Sequence, residues 1–166
     1  KYLYSLNSDG TLRFKLETDG KIYTSPAIGD FADGPGIFFG TDAGSVYGLD
    51  VYGGSLPGWP IAIGESLESV IFADIDGNSS PEVVVGAGDG NLYVFYINGE
   101  LYSPYPFNDV SSFTSGGAIA DIDGDNDLEI LVGTDNGLSV FDDKNIGGSI
   151  DGLWSVYRGN SLRNGV

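Results

Sequence analysis

The side chains best suited to chemistry in this sequence are acidic, and they are concentrated in two short segments. The more acidic segment centres on a glycine and places carboxylates at alternate positions: Asp121, Asp123, Asp125, Asp127 and Glu129. Oxygens at alternate positions of a tight loop converge on one point, and a calcium ion takes roughly 6–8 oxygen ligands. Five acids within nine residues also repel one another unless a cation lies between them. The segment therefore predicts a calcium site, with Asp127 offering its side chain or its carbonyl; the alternative is a turn held by its own side-chain to backbone hydrogen bonds.

The other segment has the same spacing but weaker ligands: Asp74, Asp76, Asn78, Ser80 and Glu82. Asn78 is able to replace a carboxylate, whereas Ser80 is expected to offer only its carbonyl oxygen. Calcium and an ordinary Asp-Gly turn both remain open for this segment. In either segment a bound ion would be mainly structural, bracing two strands, and a dissociation constant of about 10⁻⁴–10⁻³ M would be tight enough outside cells.

The composition excludes several other kinds of site. The chain of 166 residues contains no Cys, His or Met, so it lacks the ligands of a zinc or haem site and the side chains of Ser-His-Asp or Cys-His catalysis. Acids outnumber bases 24 to 7, giving a formal charge of −17, which argues against a nucleic acid or an anionic membrane as the partner. No apolar run approaches the roughly 18–20 residues that insertion into a membrane requires.

Both acidic segments belong to a longer internal repeat. Ala73–Gly77 recurs as Ala120–Gly124, 47 residues later, and each copy is followed by an acid, an apolar run and a glycine. A divergent copy precedes them; it is two residues shorter between Asp30 and Gly36 and lacks the glutamate, so no metal is predicted there. The glycines that close the three apolar runs fall at positions 40, 86 and 133. Such a period indicates an array of equivalent structural units.

Each repeat has the pattern of several short strands. Its apolar runs are rich in Val, Ile, Phe and Tyr and are bounded by turn pairs such as Asp89-Gly90 and Asn136-Gly137. Four short strands in about 40–45 residues are typical of a propeller blade. We therefore predict an all-β fold, a β-propeller whose blades have four antiparallel strands. About three and a half blades are present, so missing chain or a second copy must complete a closed propeller of roughly 4–8 blades.

The predicted organisation has five parts. They are the last two strands of a preceding blade (1–20), a blade (21–64), a second blade (65–107), a blade lacking its outer strand (108–145) and a C-terminal closing tail (146–166). Because the sequence starts at a Lys within a strand and contains no Met, we expect it to be part of a larger chain.

At these residues the chain resembles β-propeller repeats of the FG-GAP/VCBS type. The shared pattern is Asp-x-Asp-Gly, four residues, Glu, an apolar run and Gly; it covers residues 25–143 well and Tyr2–Leu16 in part. Leu56–Pro60 and the tail from Trp154 to Gly165 are also similar to segments of such propellers. The resemblance implies calcium loops and an extracellular or cell-surface location, in the C-terminal part of a larger secreted bacterial or archaeal protein. Because the family includes adhesins, lyases and accessory modules, it implies no single activity.

The predicted function is that of a non-catalytic module for binding, adhesion or scaffolding, with a protein or a glycan on an extracellular surface as the partner. Most of the aromatic residues are expected to pack between blades. Trp59 is expected either to pack there or to stay exposed. Tyr102, Tyr105 and Phe107 lie beside prolines, and together with Trp59 they would stack on sugar rings only if exposed.

Two alternatives to this function stay open. One is a propeller segment of a carbohydrate-active enzyme that resembles a polysaccharide lyase, for which the acids outside the repeat positions are Glu65, Glu68 and Asp109. The other is a half-propeller that completes itself in a homo-oligomer, because open sheet edges are normally avoided.

Overall fold

The computed structural model describes residues 1–109, 111–144, 147–151, 153, 155 and 156, and every regular element within them is a β-strand. Sheet 1 is a hairpin of β1 (Tyr2–Leu6) and β2 (Leu12–Glu17). Sheet 2 contains β3 (Ala27–Phe31), β4 (Gly34–Gly40), β5 (Ser45–Asp50) and β6 (Ile61–Ala62). Sheet 3 contains β7 (Ile71–Ala73), β8 (Glu82–Gly86), β9 (Asn91–Phe95) and β10 (Phe107–Asn108). Sheet 4 contains β11 (Ala118–Ala120), β12 (Leu128–Thr134) and β13 (Gly137–Asp143).

In every sheet the strands are antiparallel and neighbours in chain order. Tight turns produce this order; the turn between β8 and β9, for example, contains Gly90 at a φ of 81°, a conformation that glycine adopts without steric cost. The expectations of an all-β fold, of four-stranded antiparallel blades and of an incomplete set of blades are confirmed, since the four sheets do not close into a barrel. The predicted segment limits stay predictions, and the limit between 107 and 108 falls within β10.

Sheet 3 lies between sheets 2 and 4 and is covered on both faces. Along β8 alternate side chains point in opposite directions, as a strand requires. Val83 and Val85 belong to the core shared with sheet 2, and Val84 belongs to the core shared with sheet 4. On sheet 4, in contrast, Leu138 and Val140 of β13 are exposed. The chain therefore buries its apolar residues mainly between consecutive sheets.

Trp59 packs between sheets 2 and 3 and is only 6% exposed. Its ring centroid lies 5.0 Å from that of Phe38 and 5.9 Å from that of Phe95, both in edge-to-face arrangements. The indole Nε1 donates a hydrogen bond of 2.8 Å to the carbonyl oxygen of Ile97. The expected role in packing between blades is thus the one that Trp59 has.

The chain after β13 contacts both acidic segments, the first at its start and the second near its middle. Asp74 and Ser149 exchange two backbone hydrogen bonds, with N–O distances of 2.9 and 2.8 Å. The Gly147 N–H donates to the carbonyl oxygen of Asn126 at 3.0 Å. We call residues 147–149 the bridging segment, because it links the connections of two neighbouring sheets.

Part of the predicted closing tail lies outside the described residues. Within 146–166, only residues 147–151, 153, 155 and 156 are described, and Val156 pairs with Ala118 of β11. Trp154, and the residues from Tyr157 to Gly165 that carry the rest of the resemblance, lie outside them.

Candidate metal centres

The two acidic segments connect the first and second strands of sheets 3 and 4, and they share one backbone conformation. We call them the 74–82 loop and the 121–129 loop. Equivalent residues have positive φ: Gly77 (72°) and Gly124 (84°), then Ser79 (70°) and Asn126 (72°). Residues other than glycine adopt this conformation uncommonly. The repeated sequence pattern has therefore produced one repeated loop geometry.

In both loops the final glutamate holds the start of the loop through one carboxylate oxygen. The Ile75 N–H donates to Glu82 Oε2, and the Ile122 N–H donates to Glu129 Oε2, each at 2.7 Å. The second oxygen, Oε1, is buried in both residues and has no hydrogen-bond partner among the described residues. A buried carboxylate oxygen without a partner is costly. In each loop, therefore, the Oε1 atom of the final glutamate is an acceptor that no donor among the described residues satisfies and that a cation would satisfy.

The 74–82 loop forms a compact cluster of three carboxylates. Asp74, Asp76 and Glu82 each contribute an oxygen, and these oxygens lie within 4.8 Å of one another. Glu82 is completely buried and Asp74 is 6% exposed. Asp74 accepts a hydrogen bond from the Ser79 N–H through Oδ2, whereas its Oδ1 is buried and unpartnered within the described structure.

Burial, with a smaller contribution from the neighbouring acids, changes the protonation of Glu82. Burial is the main cause that raises the pKa of Glu82 from 4.5 to about 7, and the charges of Asp76 and Asp74 act in the same direction. The hydrogen bond from Ile75 opposes this rise. Near neutral pH, a bound cation would favour the charged carboxylate that burial disfavours.

The two weaker predicted ligands of this loop take part in its own hydrogen bonds. The Asn78 side-chain amide donates to Asp76 Oδ2 at 3.0 Å, and Asn78 Oδ1 accepts from the Ser80 N–H at 2.7 Å. Asn78 thus orients Asp76, which lies in the cluster. Metal ligation by Asn78 and Ser80 stays a prediction.

In the 121–129 loop the structure brings together four of the five predicted acids: Asp123, Asp125, Asp127 and Glu129, with one oxygen of each within 4.8 Å of the others. Asp127 is 2% exposed and Glu129 is 3% exposed. One oxygen of each, Asp127 Oδ1 and Glu129 Oε1, is unpartnered among the described residues. The sequence left open whether Asp127 would offer its side chain or its carbonyl, and the side chain is the group that joins the cluster.

Asp121 lies outside this cluster. Its Oδ1 accepts from the Gly124 N–H at 2.6 Å and its Oδ2 accepts from the Asn126 N–H at 3.2 Å. Its counterpart Asp74 is buried where the bridging segment pairs with its backbone, whereas Asp121 is exposed. The same sequence position therefore accepts a hydrogen bond from a loop backbone amide in both repeats, but it joins the carboxylate cluster only in the 74–82 loop.

A lysine that the sequence analysis missed lies beside the 121–129 loop. Lys144 Nζ is 2.5 Å from Asp142 Oδ2, 3.5 Å from Asp125 Oδ2 and 3.7 Å from Asp127 Oδ2. The hydrogen bond to Asp142 is the main cause that raises the pKa of Lys144. Burial first, then Asp125 and Glu129, raise the pKa of Asp127 to about 6. The sequence did contain a signal for this lysine. Counting back from the Asn136-Gly137 turn gives the β12–β13 register, which pairs Glu129 with Asp142 and so brings Lys144 close to the loop.

Both loops have the donor set and spacing that suit a calcium ion. Their donors are oxygens only, which calcium and magnesium prefer over the nitrogen and sulfur that transition metals favour. Two oxygens on opposite sides of a calcium ion are about 5 Å apart, twice the bond length of about 2.4 Å. In each cluster the carboxylate oxygens lie within 4.8 Å of one another, close enough to contact one ion together. The clusters are therefore able to hold a metal ion.

The divergent repeat differs at the equivalent connection. Ala32 and Asp33 alone join β3 to β4. Beside this short turn is a groove of about 630 Å³ between sheets 2 and 3. Its wall includes the apolar Phe31, Leu56 and Ile97, and the acidic Asp33, Asp50 and Glu100.

The remaining candidate residues have structural surroundings. Tyr102 and Tyr105 are 6% and 4% exposed, which leaves no open ring face for a sugar. Phe107 is partly buried and packs against the core between sheets 3 and 4. Asp109 accepts hydrogen bonds from the Ser111 N–H and the Ser139 hydroxyl. Glu65 is exposed and Glu68 is partly buried, and burial raises the pKa of Glu68.

Comparison with known families gives a match over the two acidic loops. Residues 74–132 match the sequence model of the FG-GAP-like repeat. This part of the chain is similar to an FG-GAP-like repeat. The FG-GAP-like match begins at Asp74 and includes both acidic loops, and the resemblance stated from the sequence is confirmed. No curated protein matches the chain significantly.

Two solved β-propellers have a similar fold. BamB from Moraxella catarrhalis superposes with a TM-score of 0.52 at 18% identity, over 82% of this chain and 38% of BamB. BBS1N, solved in complex with ARL6DN, superposes with a TM-score of 0.50 at 16% identity, over 93% of this chain and 60% of BBS1N. The chain thus spans about two fifths and three fifths of these structures. At such identities the likeness shows the fold alone: the chain forms part of a propeller.

Membrane insertion was not expected from the sequence. Within the described residues, no helix has the length and hydropathy needed to cross a bilayer.

Proposed function

We propose that this chain is a calcium-braced β-propeller module that acts by binding a partner rather than by catalysis. The proposal rests on four buried carboxylate oxygens that have no hydrogen-bond partner within the described part of the chain, two in each loop: Asp74 Oδ1, Glu82 Oε1, Asp127 Oδ1 and Glu129 Oε1. Burial of such oxygens is unfavourable unless a cation satisfies them. The FG-GAP-like match supports calcium as that cation.

Calcium would brace each loop by joining the end of one strand to the start of the next. In the 74–82 loop, Asp74 and Asp76 follow β7, and Glu82 is the first residue of β8. An ion held by all three would connect both ends of the loop. Three or four carboxylates leave room for carbonyl oxygens or water in a shell of roughly 6–8 ligands. The role of the metal is therefore structural.

The same acids argue for binding rather than for catalysis. The clustered carboxylates are part of the loop structure, and the carboxylate of Asp109 accepts hydrogen bonds from two donors. For the binding surface we favour the groove between sheets 2 and 3, whose apolar wall and carboxylates would contact a protein or a glycan. We place the module outside the cell or on its surface, where millimolar calcium would fill sites of low affinity.

Thermal unfolding in millimolar calcium, in EGTA and in magnesium tests the calcium proposal. We expect calcium to raise the melting temperature by several degrees and magnesium to have less effect, because magnesium requires a smaller octahedral site. Asp76→Asn should reduce the calcium effect, whereas Glu17→Gln, an exposed acid of sheet 1, should leave it unchanged. An identical melting temperature in calcium and EGTA would reduce the loops to ordinary turns and refute the proposal.

A second candidate function is self-assembly. Sheet 4 exposes Leu138 and Val140, and sheet 1 exposes Tyr2, Tyr4 and Leu6. Exposed apolar side chains on the first and last described sheets favour completion of the propeller by a second copy. Sedimentation at micromolar concentration tests this candidate, and a stable monomer would eliminate it. Assays of product formation on pectins and β-glucans test the lyase-like alternative, for which any degradation would be decisive.

A further inference from the structure

Lys144 lies beside the 121–129 loop in a position fixed by the sheet. It directly follows β13, and the β12–β13 register pairs Asp142 with Glu129. Its ammonium group forms ion pairs with Asp142 and with two members of the carboxylate cluster, Asp125 and Asp127. A positive charge therefore lies at the border of the cluster, while Asp127 Oδ1 and Glu129 Oε1 have no hydrogen-bond partner among the residues that the structure describes.

We propose that Lys144 is a built-in cation that competes with calcium at the 121–129 loop and lowers its affinity for the ion. The inference rests on the proposed calcium function and adds a determinant of affinity to one of the two sites. Lys144 replaces part of the charge that calcium would supply, so the loop tolerates its acids when calcium is scarce. The loop then fills only when calcium is abundant.

The 74–82 loop provides the contrast within the same molecule. Among the described residues, no Lys or Arg forms an ion pair with Asp74, Asp76 or Glu82. That loop has three clustered carboxylates and no neighbouring ammonium group, whereas the 121–129 loop has four and Lys144. The number of acids alone would rank the 121–129 loop as the tighter site. With Lys144 present, we expect the difference to shrink or to reverse.

The size of the effect follows from the charges. An ammonium group about 5 Å from a divalent cation, in surroundings close to water, repels it by enough to change the affinity on the order of tenfold. Lys144 is exposed, so this estimate with a high dielectric constant is the appropriate one. If Lys144 moved away from Asp125 and Asp127, it would still lie near Asp142, which belongs to β13 at the edge of sheet 4.

Calcium titration by calorimetry of the whole chain tests the inference. A Glu82→Gln background weakens the 74–82 loop, so that the titration reports on the 121–129 loop. In this background Lys144→Gln should tighten calcium binding about tenfold, and Lys144→Met should do the same if the first variant folds poorly. Lys15→Gln, which removes the same charge from sheet 1, is the matched control and should leave the affinity unchanged.

The outcomes separate this inference from the proposal on which it rests. Calcium binding that is equal with and without Lys144 overturns the inference and leaves the calcium function intact. Tightening by Lys15→Gln as much as by Lys144→Gln also overturns it, because the cause would then be net charge. Absence of binding in both the background and its Lys144 variants overturns the inference together with the calcium function of this loop.

Discussion

Glu82→Gln should make the calcium-free protein more stable at pH 8. Glu82 is completely buried, and the pKa of this residue is raised from 4.5 to about 7. Below about pH 4.5 the carboxyl is protonated in both the folded and the unfolded chain. As the pH rises towards 7, the unfolded chain releases this proton while the folded chain retains it, so the free energy of unfolding falls over this window. At about 1.4 kcal/mol for each tenfold change in the dissociation constant, the loss is about 3 kcal/mol.

The glutamine variant removes this loss and keeps the local hydrogen bond. Its amide oxygen still accepts from the Ile75 N–H, and its NH₂ group has the carboxylates of Asp74 and Asp76 nearby as acceptors. In EGTA at pH 8 we therefore expect a gain of up to about 3 kcal/mol, or about 6–12 °C in melting temperature for a chain of this length. In calcium the order should shrink or reverse, since the variant lacks one ligand of the 74–82 loop.

Urea unfolding in EGTA at pH 5, 6, 7 and 8 is the assay. The difference between the wild-type chain and Glu82→Gln should be smallest at pH 5, where the pH-dependent loss is only about 1 kcal/mol, and should grow as the pH rises, with most of the divergence complete by about pH 8. Glu17→Gln, an exposed residue of β2, is the control and should follow the wild type throughout. Parallel curves for Glu82→Gln and the wild type would refute the reasoning that burial of this charge is costly.

Five further substitutions separate the roles of loop, turn and core residues. Asp121→Ala removes the acceptor of two backbone amides and should lower the free energy of unfolding by about 1–3 kcal/mol in EGTA and in calcium alike. Asp127→Asn should instead reduce the stabilisation that calcium gives. Urea unfolding in both buffers measures the two effects, and the same response to calcium in both variants would contradict this assignment. Gly58 has a φ of 83°, and a methyl group at this position would collide with the carbonyl oxygen of Asn98, in the turn after β9. Gly58→Ala should therefore lower the free energy of unfolding by about 2–4 kcal/mol. Gly64→Ala, at a φ of 93° with open space around it, should lose about 1 kcal/mol, and equal losses would argue against the close approach. Trp59→Ala should cost about 3–5 kcal/mol by opening the core between sheets 2 and 3, and a loss below 1 kcal/mol in chemical denaturation would be inconsistent with its burial.

The fold was predictable because its signals are local and repeated. Runs of alternating apolar residues between Asp-Gly and Asn-Gly pairs indicate strands and hairpins without reference to distant parts of the chain. Because these runs recur at spacings of 46 and 47 residues, they indicate repeated structural units and favour stacked blades over a fold without internal repeats. The two acidic loops were predictable for the same reason, since one pattern gave one backbone conformation at Ser79 and at Asn126.

The differences between the two loops were not predictable from the pattern. Asp74 and Asp121 occupy the same place in the repeat, yet only Asp74 is buried next to the bridging segment, which comes from residues more than 70 positions later in the chain. The position of Lys144 beside the 121–129 loop follows from the β12–β13 register within sheet 4, which the repeat pattern alone does not give. The burial of Trp59 likewise depends on the neighbouring sheet. A pattern within one repeat carries no information about the contacts that a repeat receives from others.

The position of sheet 3 between two neighbours gives the chain an uneven resistance to opening. Amides of β8 are enclosed on both sides and should exchange with deuterium only when the whole domain unfolds, whereas those of sheet 1 and β13 should exchange through local opening. A cation in the 74–82 loop acts on the enclosed sheet and would slow exchange across the molecule. A cation in the 121–129 loop acts on sheet 4 and would slow exchange mainly there. One ion species would thus leave two spatially distinct protection patterns, and each pattern would show which loop it occupies.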